Sequence, residues 1–140
     1  MRYTAFGATF EFDTAQLDAD EAALREQLAA YERGEREGFD VDVAYPEGFT
    51  GEVMAAMAAI PYGETRTYGE LAATLDSAAV AVGQACGRNT LPLVVPCHRV
   101  VAADGLGGFS LDHPDALGVK RRLLEHEGAR DGPRQATLPV

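Results

Sequence analysis

Residues 67–88 read TYGELAATLDSAAVAVGQACGR and predict two short helices joined by a tight turn. Thr67 and Glu70 have the spacing of a capping box, in which each side chain satisfies a backbone amide at the start of a helix. A turn at Asp76 and Ser77 then leads into a second helix that is rich in alanine. Two short helices joined in this way are typical of a helix-turn-helix, so we place that motif here.

A further helix precedes this motif. The apolar residues Val53, Met57 and Ile60 recur at helical spacing. We expect Thr50 to cap this helix, because a threonine hydroxyl can accept a hydrogen bond from a backbone amide of the first turn. Pro61 lies just past the last apolar residue, and proline interrupts helical hydrogen bonding. The helix is therefore expected to end before the helix-turn-helix begins.

The segment after the helix-turn-helix, residues 91–101, reads LPLVVPCHRVV. Its apolar and β-branched residues predict a buried extended segment that two prolines interrupt. Glycine-containing turns within residues 104–108 then lead to a last helix over residues 115–127, which Gly128 ends. The residues expected on the inner side of that helix are Leu117, Val119, Leu123 and Leu124.

The first part of the chain contains both strand and helix patterns. Residues 3–12 alternate between apolar and polar side chains around Gly7 and predict strand structure. Residues 20–33 predict an amphipathic helix, and residues 34–48 a charged linker with one short strand. The apolar stripe of the helix consists of Leu24, Leu28 and Tyr31.

These elements predict an α+β fold class. We expect residues 1–48 to form a small, shortened N-terminal α/β region. Residues 49–128 are expected to form a mainly helical C-terminal domain that contains a helix-turn-helix of the winged-helix type. Residues 129–140 carry no structural signal and are expected to be a loose tail.

Bulk composition limits the classes of protein that this chain can represent. Its 140 residues, 46% of them hydrophobic, are enough for one compact domain or a main domain with a small appended one. We find neither an apolar run long enough to span a membrane nor a signal peptide, and we therefore expect a cytoplasmic protein. The two cysteines are too few for a disulfide framework, which favours a free, functional thiol.

The chain is strongly acidic, with a formal net charge of −10. Residues 1–48 contain 12 acidic and 4 basic side chains, whereas residues 49–140 contain 10 acidic and 8 basic ones. This balance argues against a generally basic nucleic-acid binder, and any DNA-binding face would have to lie in the later part. The acidic excess, with one lysine against eleven arginines, leads to the hypothesis of a halophilic protein with a surface suited to high salt.

Cys97 is the strongest candidate for a reactive group. It is followed directly by His98 and Arg99, two groups that a purely structural strand would seldom bury together. A nucleophilic sulfur must be a thiolate, and a nearby imidazole can accept its proton. Successive side chains of an extended segment point to opposite faces, so we expect a bridging water between Cys97 and His98. Cys86, which lies among alanines on a helix, is interpreted as a core residue.

The remaining candidate groups are less distinctive. The imidazole of His98 needs an acceptor that orients it, and Glu127 at the end of the last helix is a candidate. Periodicity alone favours the alternative that Glu127 is an exposed carboxylate at a helix end. The two cysteines and three histidines do not have the spacing of a zinc site, so we assign no metal ligands.

The stretch PCHRVV, preceded by LPLVV and with Asn89 eight residues before Cys97, resembles the methylated-DNA–protein-cysteine methyltransferases (O6-alkylguanine-DNA alkyltransferases). The segments TYGELAA, AVGQA and LLEHEG support this resemblance, which covers residues 49–128. Residues 1–48 would correspond to the variable N-terminal domain of that family.

This resemblance implies roles for the residues around the thiol. Cys97 would accept an alkyl group from guanine O6, with His98 as the base through a water and Glu127 orienting His98. Asn89 would bridge the helix-turn-helix to the cysteine loop, and Tyr68 would donate a hydrogen bond to guanine N3. The protein would be spent after one transfer and would need no metal or organic cofactor.

Residues that contact the substrate are implied as well. Lys120 matches a lysine of the family's last helix, and the backbone amide of Ser110 would meet guanine O6. Backbone carbonyls near Cys97 and Val100 would bind the guanine amino group. Phe109 matches a position that is often tyrosine, so a hydroxyl near the leaving oxygen would be absent.

The implied partner is double-stranded DNA that contains alkylated guanine, with O4-alkylthymine as a further candidate base, bound by a monomer. The family's second helix enters the minor groove, where small residues such as Gly83 permit a close approach. Val80 takes the position of an arginine that fills the gap left by a flipped base. Arg88 and Arg99 would supply positive charge towards the DNA.

Three alternatives are compatible with the sequence. An alkyltransferase-like lesion sensor would bind damaged guanine without transferring its alkyl group; Cys97 argues against this, and Val80 allows it. A helix-turn-helix regulator would bind undamaged DNA in a sequence-specific way. A cysteine hydrolase would require direct contact between His98 and Cys97, and it would turn over repeatedly.

Overall fold

A computed structural model describes residues 1–129 of the chain. Within this range, the strands are β1 (Arg2–Ala5), β2 (Ala8–Glu11), β3 (Leu17–Asp18), β4 (Asp42–Val43), β5 (Arg66–Thr67) and β6 (Val100–Val101). The α-helices are α1 (Glu21–Glu32), α2 (Phe49–Ala58), α3 (Tyr68–Thr74), α4 (Ala79–Cys86) and α5 (Ala116–His126). Short 3-10 helices cover Thr14–Gln16 and Cys97–Arg99. No helix in the described part of the chain is long and apolar enough to cross a membrane.

The N-terminal region confirms the predicted strand and helix patterns. Strands β1 and β2 form an antiparallel hairpin that turns at Phe6 and Gly7, both of which have positive φ. Phe10 of β2 and the following Phe12 are buried. Helix α1 buries its predicted stripe, and the side chain of Asp20 caps its first turn by accepting from a backbone amide. Strand β3 pairs with β4, which is the short strand expected in the linker.

The helix-turn-helix is formed by α3 and α4. Thr67 accepts a hydrogen bond from the backbone amide of Glu70 at 3.0 Å, and Glu70 accepts from that of Thr67 at 2.8 Å, which confirms the capping box. The connecting turn contains Asp76 with a positive φ of 53°, a conformation that aspartate tolerates better than most residues. Strands β5 and β6 pair in parallel beside these helices. The winged-helix detail stays a prediction.

Three local predictions are wrong. Helix α2 begins at Phe49 with Gly48 as its N-cap, so Thr50 lies inside the helix and does not cap it. The segment over residues 91–101 is mostly turns and the 3-10 helix, because proline cannot donate to a strand ladder. Leu117 is 46% exposed, since residues two positions apart on a helix face different directions and the buried side of α5 begins with Val119.

One buried cluster joins the elements on both sides of residue 48. It includes Phe10 and Leu28 from the N-terminal region together with Met57, Leu91 and Leu123 from the later part. Backbone hydrogen bonds such as Asp13 N to Thr90 O, at 3.0 Å, also connect the two parts. The domain boundary at residue 48 stays a prediction, and the predicted loose tail, apart from Ala129, lies outside the described residues.

Candidate active site

The Cys97 thiol lies at the start of the 3-10 helix and is partly exposed. It lines a cavity of about 430 Å³ between the β1–β2 hairpin and the loop that precedes α5. The other residues around this cavity are Arg2, Thr9, Glu11, Cys86, Asn89, Pro92, Phe109, Ser110, Leu111 and Asp112. A reactive sulfur at this position can therefore meet a ligand that enters from the surface.

A second, smaller cavity of about 80 Å³ adjoins the first. The two cavities share Cys86, Cys97, Phe109 and Ser110 in their walls. The remaining walls of the smaller one come from the helix-turn-helix and the glycine turn: Tyr68, Gly83, Gly87 and Gly108. Cys97 thus faces the helix-turn-helix on one side and the N-terminal hairpin on the other.

Two opposing influences act on the Cys97 thiol. Burial raises its pKa above the ordinary value, whereas a hydrogen bond with the Asn89 side chain and the charge of Lys120 lower it. Lys120 is fully buried and donates to the carbonyls of Val100 at 2.6 Å and Gly108 at 2.8 Å. Burial lowers the pKa of Lys120 to about 8, so the amine is still mostly cationic at neutral pH and favours the thiolate.

His98, the residue after Cys97 in the 3-10 helix, forms a buried pair with Glu127. His98 Nε2 lies 2.8 Å from Glu127 Oε2, and both side chains are 1% exposed or less. In the described part of the chain, Nδ1 of His98 has no hydrogen-bond partner. The prediction that Glu127 orients His98 therefore agrees with the geometry, and the alternative of an exposed helix-end carboxylate is wrong.

Arg99 completes this network from the same 3-10 helix. Its Nε donates to Glu127 Oε1 at 2.8 Å and its Nη2 to Glu127 Oε2 at 3.0 Å, while Nη1 donates to the carbonyl of Ile60. The guanidinium is 5.6 Å from the ring centroid of Tyr62, and the residue is 6% exposed. The expectation that Arg99 contacts DNA is corrected here, because a guanidinium held by a buried carboxylate is not available to a phosphate.

The charges of this network follow from burial and pairing. Burial alone would raise the pKa of Glu127, but hydrogen bonds from His98 and Arg99 and the positive charge of Arg99 outweigh it and hold the pKa well below its ordinary value. Burial lowers the pKa of His98, and the positive charges of Arg99 and Lys120 lower it further. The hydrogen bond and negative charge of Glu127 offset part of this decrease. His98 is therefore a neutral imidazole near pH 7, as a proton acceptor must be.

Asn89 connects the end of the helix-turn-helix to the cysteine loop. Its Nδ2 donates to the carbonyl of Val95 at 2.9 Å, and its Oδ1 accepts from the amide of Leu91 at 3.1 Å. Both bonds reach the turn that leads into Cys97, two residues after Val95. Asn89 thus bonds the cysteine loop from the end of the helix-turn-helix, and its bridging role stays a prediction.

Tyr68 projects from the start of α3 into the smaller cavity. Its hydroxyl donates weakly to the carbonyl of Gly108 at 3.4 Å, and burial raises the pKa of Tyr68 to about 12. Gly107 has a positive φ of 74°, and a Cβ there would lie 2.7 Å from the Tyr68 ring. A glycine at position 107 is therefore what allows this tyrosine to occupy the cavity.

The other residues expected at the substrate have different positions. Phe109 and Ser110 line both cavities beside the thiol. Val100 is fully buried in β6, and its carbonyl accepts from Lys120. Their contacts with guanine stay predictions.

Helix α4 presents a mixed surface for the predicted DNA contacts. Val80 is 72% exposed at its first turn, and Arg88 is exposed just beyond its end. Gly83 lies in the wall of the smaller cavity. Val80 and Arg88 are therefore accessible to DNA, and the DNA-facing roles of all three residues stay predictions.

One member of the network, Tyr31, was not predicted from the sequence. Its hydroxyl donates to Glu127 Oε2 from helix α1. The available signal was its place in the buried stripe of that helix, because a buried tyrosine hydroxyl usually finds a hydrogen-bond partner. The stripe does not indicate which partner that is.

Comparisons with known proteins agree with this arrangement. Residues 48–129 match the family model for the DNA-binding domain of 6-O-methylguanine DNA methyltransferase. The chain is 47% identical over 108 residues to the methylated-DNA–protein-cysteine methyltransferase of Methanosarcina acetivorans, covering 74% of this chain and 66% of that relative.

Solved structures show the same similarity. The crystal structure of the Mycobacterium tuberculosis O6-methylguanine methyltransferase matches with a TM-score of 0.68 and 38% identity, covering 85% of this chain and 68% of that one. The structure of Mycobacterium tuberculosis OGT in complex with DNA matches with a TM-score of 0.65 and 41% identity, covering 76% and 65%. These matches confirm the α+β fold class, and the chain spans about two thirds of the length of these proteins.

Proposed function

The chain belongs to the 6-O-methylguanine DNA methyltransferase family, and from that premise we propose that it repairs DNA by moving the alkyl group of O6-alkylguanine onto Cys97. The observation that carries this proposal is the position of Cys97, whose thiol lines two cavities and which is followed in the same 3-10 helix by His98, the buried partner of Glu127. Nucleophile, base and orienting carboxylate are then in the order that an activated thiol needs.

The reaction is a single displacement. His98 takes the thiol proton through a bridging water, and the thiolate of Cys97 attacks the carbon attached to guanine O6. The S–C bond forms as the C–O bond breaks, and the bonding electrons stay on the guanine. The proton that the thiol loses is returned to the guanine, so the products are a thioether and an unmodified base.

Stabilisation of the leaving guanine is assigned to groups around the smaller cavity. The Tyr68 hydroxyl is the proposed donor to guanine N3, and the backbone amide of Ser110 the proposed donor to O6. Hydrogen bonds aimed at developing charge are the usual way to lower such a barrier. Because the target base is stacked in a duplex, it must be flipped out before it reaches Cys97.

A thioether has no easy reverse reaction. Each molecule would therefore repair one lesion and remain alkylated at Cys97, which requires neither a metal nor an organic cofactor. O4-alkylthymine presents a similar alkoxy group and is a further candidate substrate. A monomer suffices for this chemistry, since every proposed group belongs to one chain.

Helix α4 is the proposed DNA-binding element. It carries the small residue Gly83 beside the smaller cavity, and close approach to the minor groove requires such residues. Exposed Val80 would lie at the gap left by the flipped base, and Arg88 would contribute positive charge. The acidic excess of the chain is concentrated in residues 1–48, outside this helix.

A second candidate function is lesion recognition without transfer. It is favoured by Val80, whose apolar side chain can wedge into a base step but offers no hydrogen bond to the unpaired base. Flipping would then be less efficient. The presence of Cys97 favours transfer as the first proposal.

A single-turnover assay tests the two candidates. An excess of duplex DNA with radiolabelled O6-methylguanine is mixed with the protein in high salt, and the labelled residue is identified by peptide mapping. Alkyl transfer predicts one label per molecule on Cys97, none in the Cys97→Ser variant and full labelling in the Cys86→Ser control. Lesion-selective binding without label would support the sensor, whereas repeated turnover or binding to undamaged DNA sequences would contradict both.

A further inference from the structure

The hydroxyl of Tyr31 belongs to the same hydrogen-bond network as His98 and Glu127. Tyr31 lies on α1, is 1% exposed and donates to Oε2 of Glu127, 96 residues further along the chain. The same oxygen accepts from His98 Nε2 at 2.8 Å and from Arg99 Nη2 at 3.0 Å. Tyr31 thus brings a donor from the N-terminal region to the carboxylate that pairs with His98.

The Tyr31 ring is held by its surroundings. Its centroid is 6.1 Å from that of Phe6 and 6.2 Å from that of Tyr62, both in edge-to-face geometry. His126 Nε2 lies 2.7 Å from the backbone carbonyl of Tyr31. The position of the hydroxyl is therefore set by packing and does not depend on the carboxylate alone.

We propose, on the basis of the alkyl transfer proposed above, that Tyr31 is a positioning residue for that reaction: its hydroxyl fixes the Glu127 carboxylate in the orientation that aligns His98. Arg99 bonds both oxygens of Glu127 from one side. Without the hydroxyl, the carboxylate can rotate while it stays bonded to His98, and the imidazole turns with it. A misaligned imidazole accepts the Cys97 proton less readily.

The charges in this network determine how the proposal affects pH dependence. Glu127 faces His98, Arg99 and Tyr31, while Lys120 also acts on His98. Burial and the Glu127 carboxylate raise the pKa of Tyr31 far above its ordinary value, so it stays a donor throughout an assay range. When the Tyr31 hydroxyl is removed, the Glu127 carboxylate has one hydrogen bond fewer to share its negative charge. It then stabilises the protonated imidazole more strongly, so the pKa of His98 is expected to rise.

The experiment compares Tyr31→Phe with two matched controls. Tyr3→Phe removes a hydroxyl that bonds Glu32, and Tyr62→Phe one that bonds the His126 carbonyl, neither of which is bonded to Glu127. Single-turnover rates are measured against DNA concentration and pH. We expect Tyr31→Phe to lower the saturating rate about tenfold, the value of one hydrogen bond to a charged group. The half-saturating DNA concentration is expected to stay unchanged, and the low-pH fall of the rate to move to higher pH.

A second variant covers the case in which Tyr31→Phe does not fold. Placing 3-fluorotyrosine at position 31 alone keeps the ring and makes the hydroxyl a stronger donor. We expect the low-pH fall of the rate to move to lower pH, opposite to Tyr31→Phe. A change of thermal stability cannot by itself move these profiles in opposite directions.

The outcomes separate this inference from the proposed function. If the wild-type protein transfers no alkyl group, the proposed function fails. If the wild type transfers it, and Tyr31 variants match the two controls in saturating rate and pH profile, the proposed function stands and the role of Tyr31 is wrong. Combining Tyr31→Phe with Glu127→Gln should cause no further loss of rate, because Tyr31 acts through Glu127.

Discussion

His98 Nε2 lies 2.8 Å from Glu127 Oε2 in a site where both side chains are almost completely buried. The two residues are 29 positions apart, and the C-terminal end of α5 brings the carboxylate to the cysteine loop. A buried carboxylate is tolerated only when charge and hydrogen bonds compensate its lost hydration, and Arg99 supplies both. The pair therefore contributes to the stability of the fold as well as to the proposed chemistry.

Glu127→Gln should destabilise the protein by about 3–5 kcal/mol, because removing one partner of a buried ion pair leaves the other charge uncompensated. The pKa of Glu127 is lowered in the folded state, so its stabilisation is fully present above the unfolded value of about 4.3. This contribution is lost as the pH falls below that value. Urea unfolding should show a difference in the free energy of unfolding between wild type and variant that is large at pH 5 and becomes smaller towards pH 3.

Glu125→Gln provides the control, since Glu125 is exposed on the same helix. It should change the free energy of unfolding by about 0.5 kcal/mol or less at each pH. Two outcomes would contradict this prediction: an equal loss of unfolding free energy in both variants, or a loss in Glu127→Gln that does not become smaller in acid. Either would show that the ionised Glu127 carboxylate does not stabilise the fold.

Val80→Arg should increase the rate of transfer from duplex DNA at low DNA concentration. The side chain of Val80 is 72% exposed on α4, and a guanidinium there can bond the base left unpaired by flipping. The expected gain is roughly threefold to tenfold, the value of one hydrogen bond. Ala73→Arg, at an exposed position of α3, adds the same charge elsewhere and should give a smaller gain. Equal gains for both variants would attribute the effect to charge alone.

Local signals predicted much of this fold because they act within a few residues. The capping box of Thr67 and Glu70 and the apolar stripe of α1 depend only on neighbouring positions, and both are present. Thr50 shows the limit of such signals, since Gly48 begins the helix two residues earlier. Leu117 shows a second limit, because an apolar residue in the first turn of a helix is not always on the side that packs against the core.

The site could be predicted only in part for the same reason. Cys97 and His98 are adjacent in the sequence, so a thiol with an imidazole as its base could be predicted from these two residues alone. The burial of Glu127 and the pairing of Arg99 result from contacts across about 30 residues, which periodicity does not contain. Tyr31 reaches the carboxylate across 96 residues and needed the folded chain to be recognised.

Salt should stabilise the protein. All 12 acidic side chains of residues 1–48 are exposed, with few basic side chains in the same region to pair with them. Raising the ionic strength shortens the screening length from about 8 Å at 0.15 M to about 3 Å at 1 M and weakens their mutual repulsion. Circular dichroism should show a Tm that rises by roughly 5 °C or more from low salt to 1 M KCl.

A variant with fewer acidic groups tests the cause of that rise. Replacing Glu26 and Glu37 with glutamine and Asp42 with asparagine should raise the Tm in low salt and reduce its dependence on KCl. These three residues are exposed, so little else should change. A wild-type protein with the same Tm in low and high salt would refute the halophilic hypothesis.

The large cavity beside Cys97 predicts transfer of alkyl groups much bigger than methyl. Its volume of about 430 Å³ extends from the thiol to Thr9 on the β1–β2 hairpin, which leaves space for an O6-benzyl group. Single-turnover assays with O6-benzylguanine and O6-methylguanine in the same duplex should give comparable labelling of Cys97. Thr9→Trp fills the far end of the cavity and should slow benzyl transfer by about tenfold or more, since overpacking typically costs about 1–3 kcal/mol, while methyl transfer changes little. Ala22→Trp, at an exposed position of α1 outside the cavity, is the matched control and should slow neither. Equal slowing of both substrates by Thr9→Trp would mean that the hairpin side of the cavity does not receive the alkyl group.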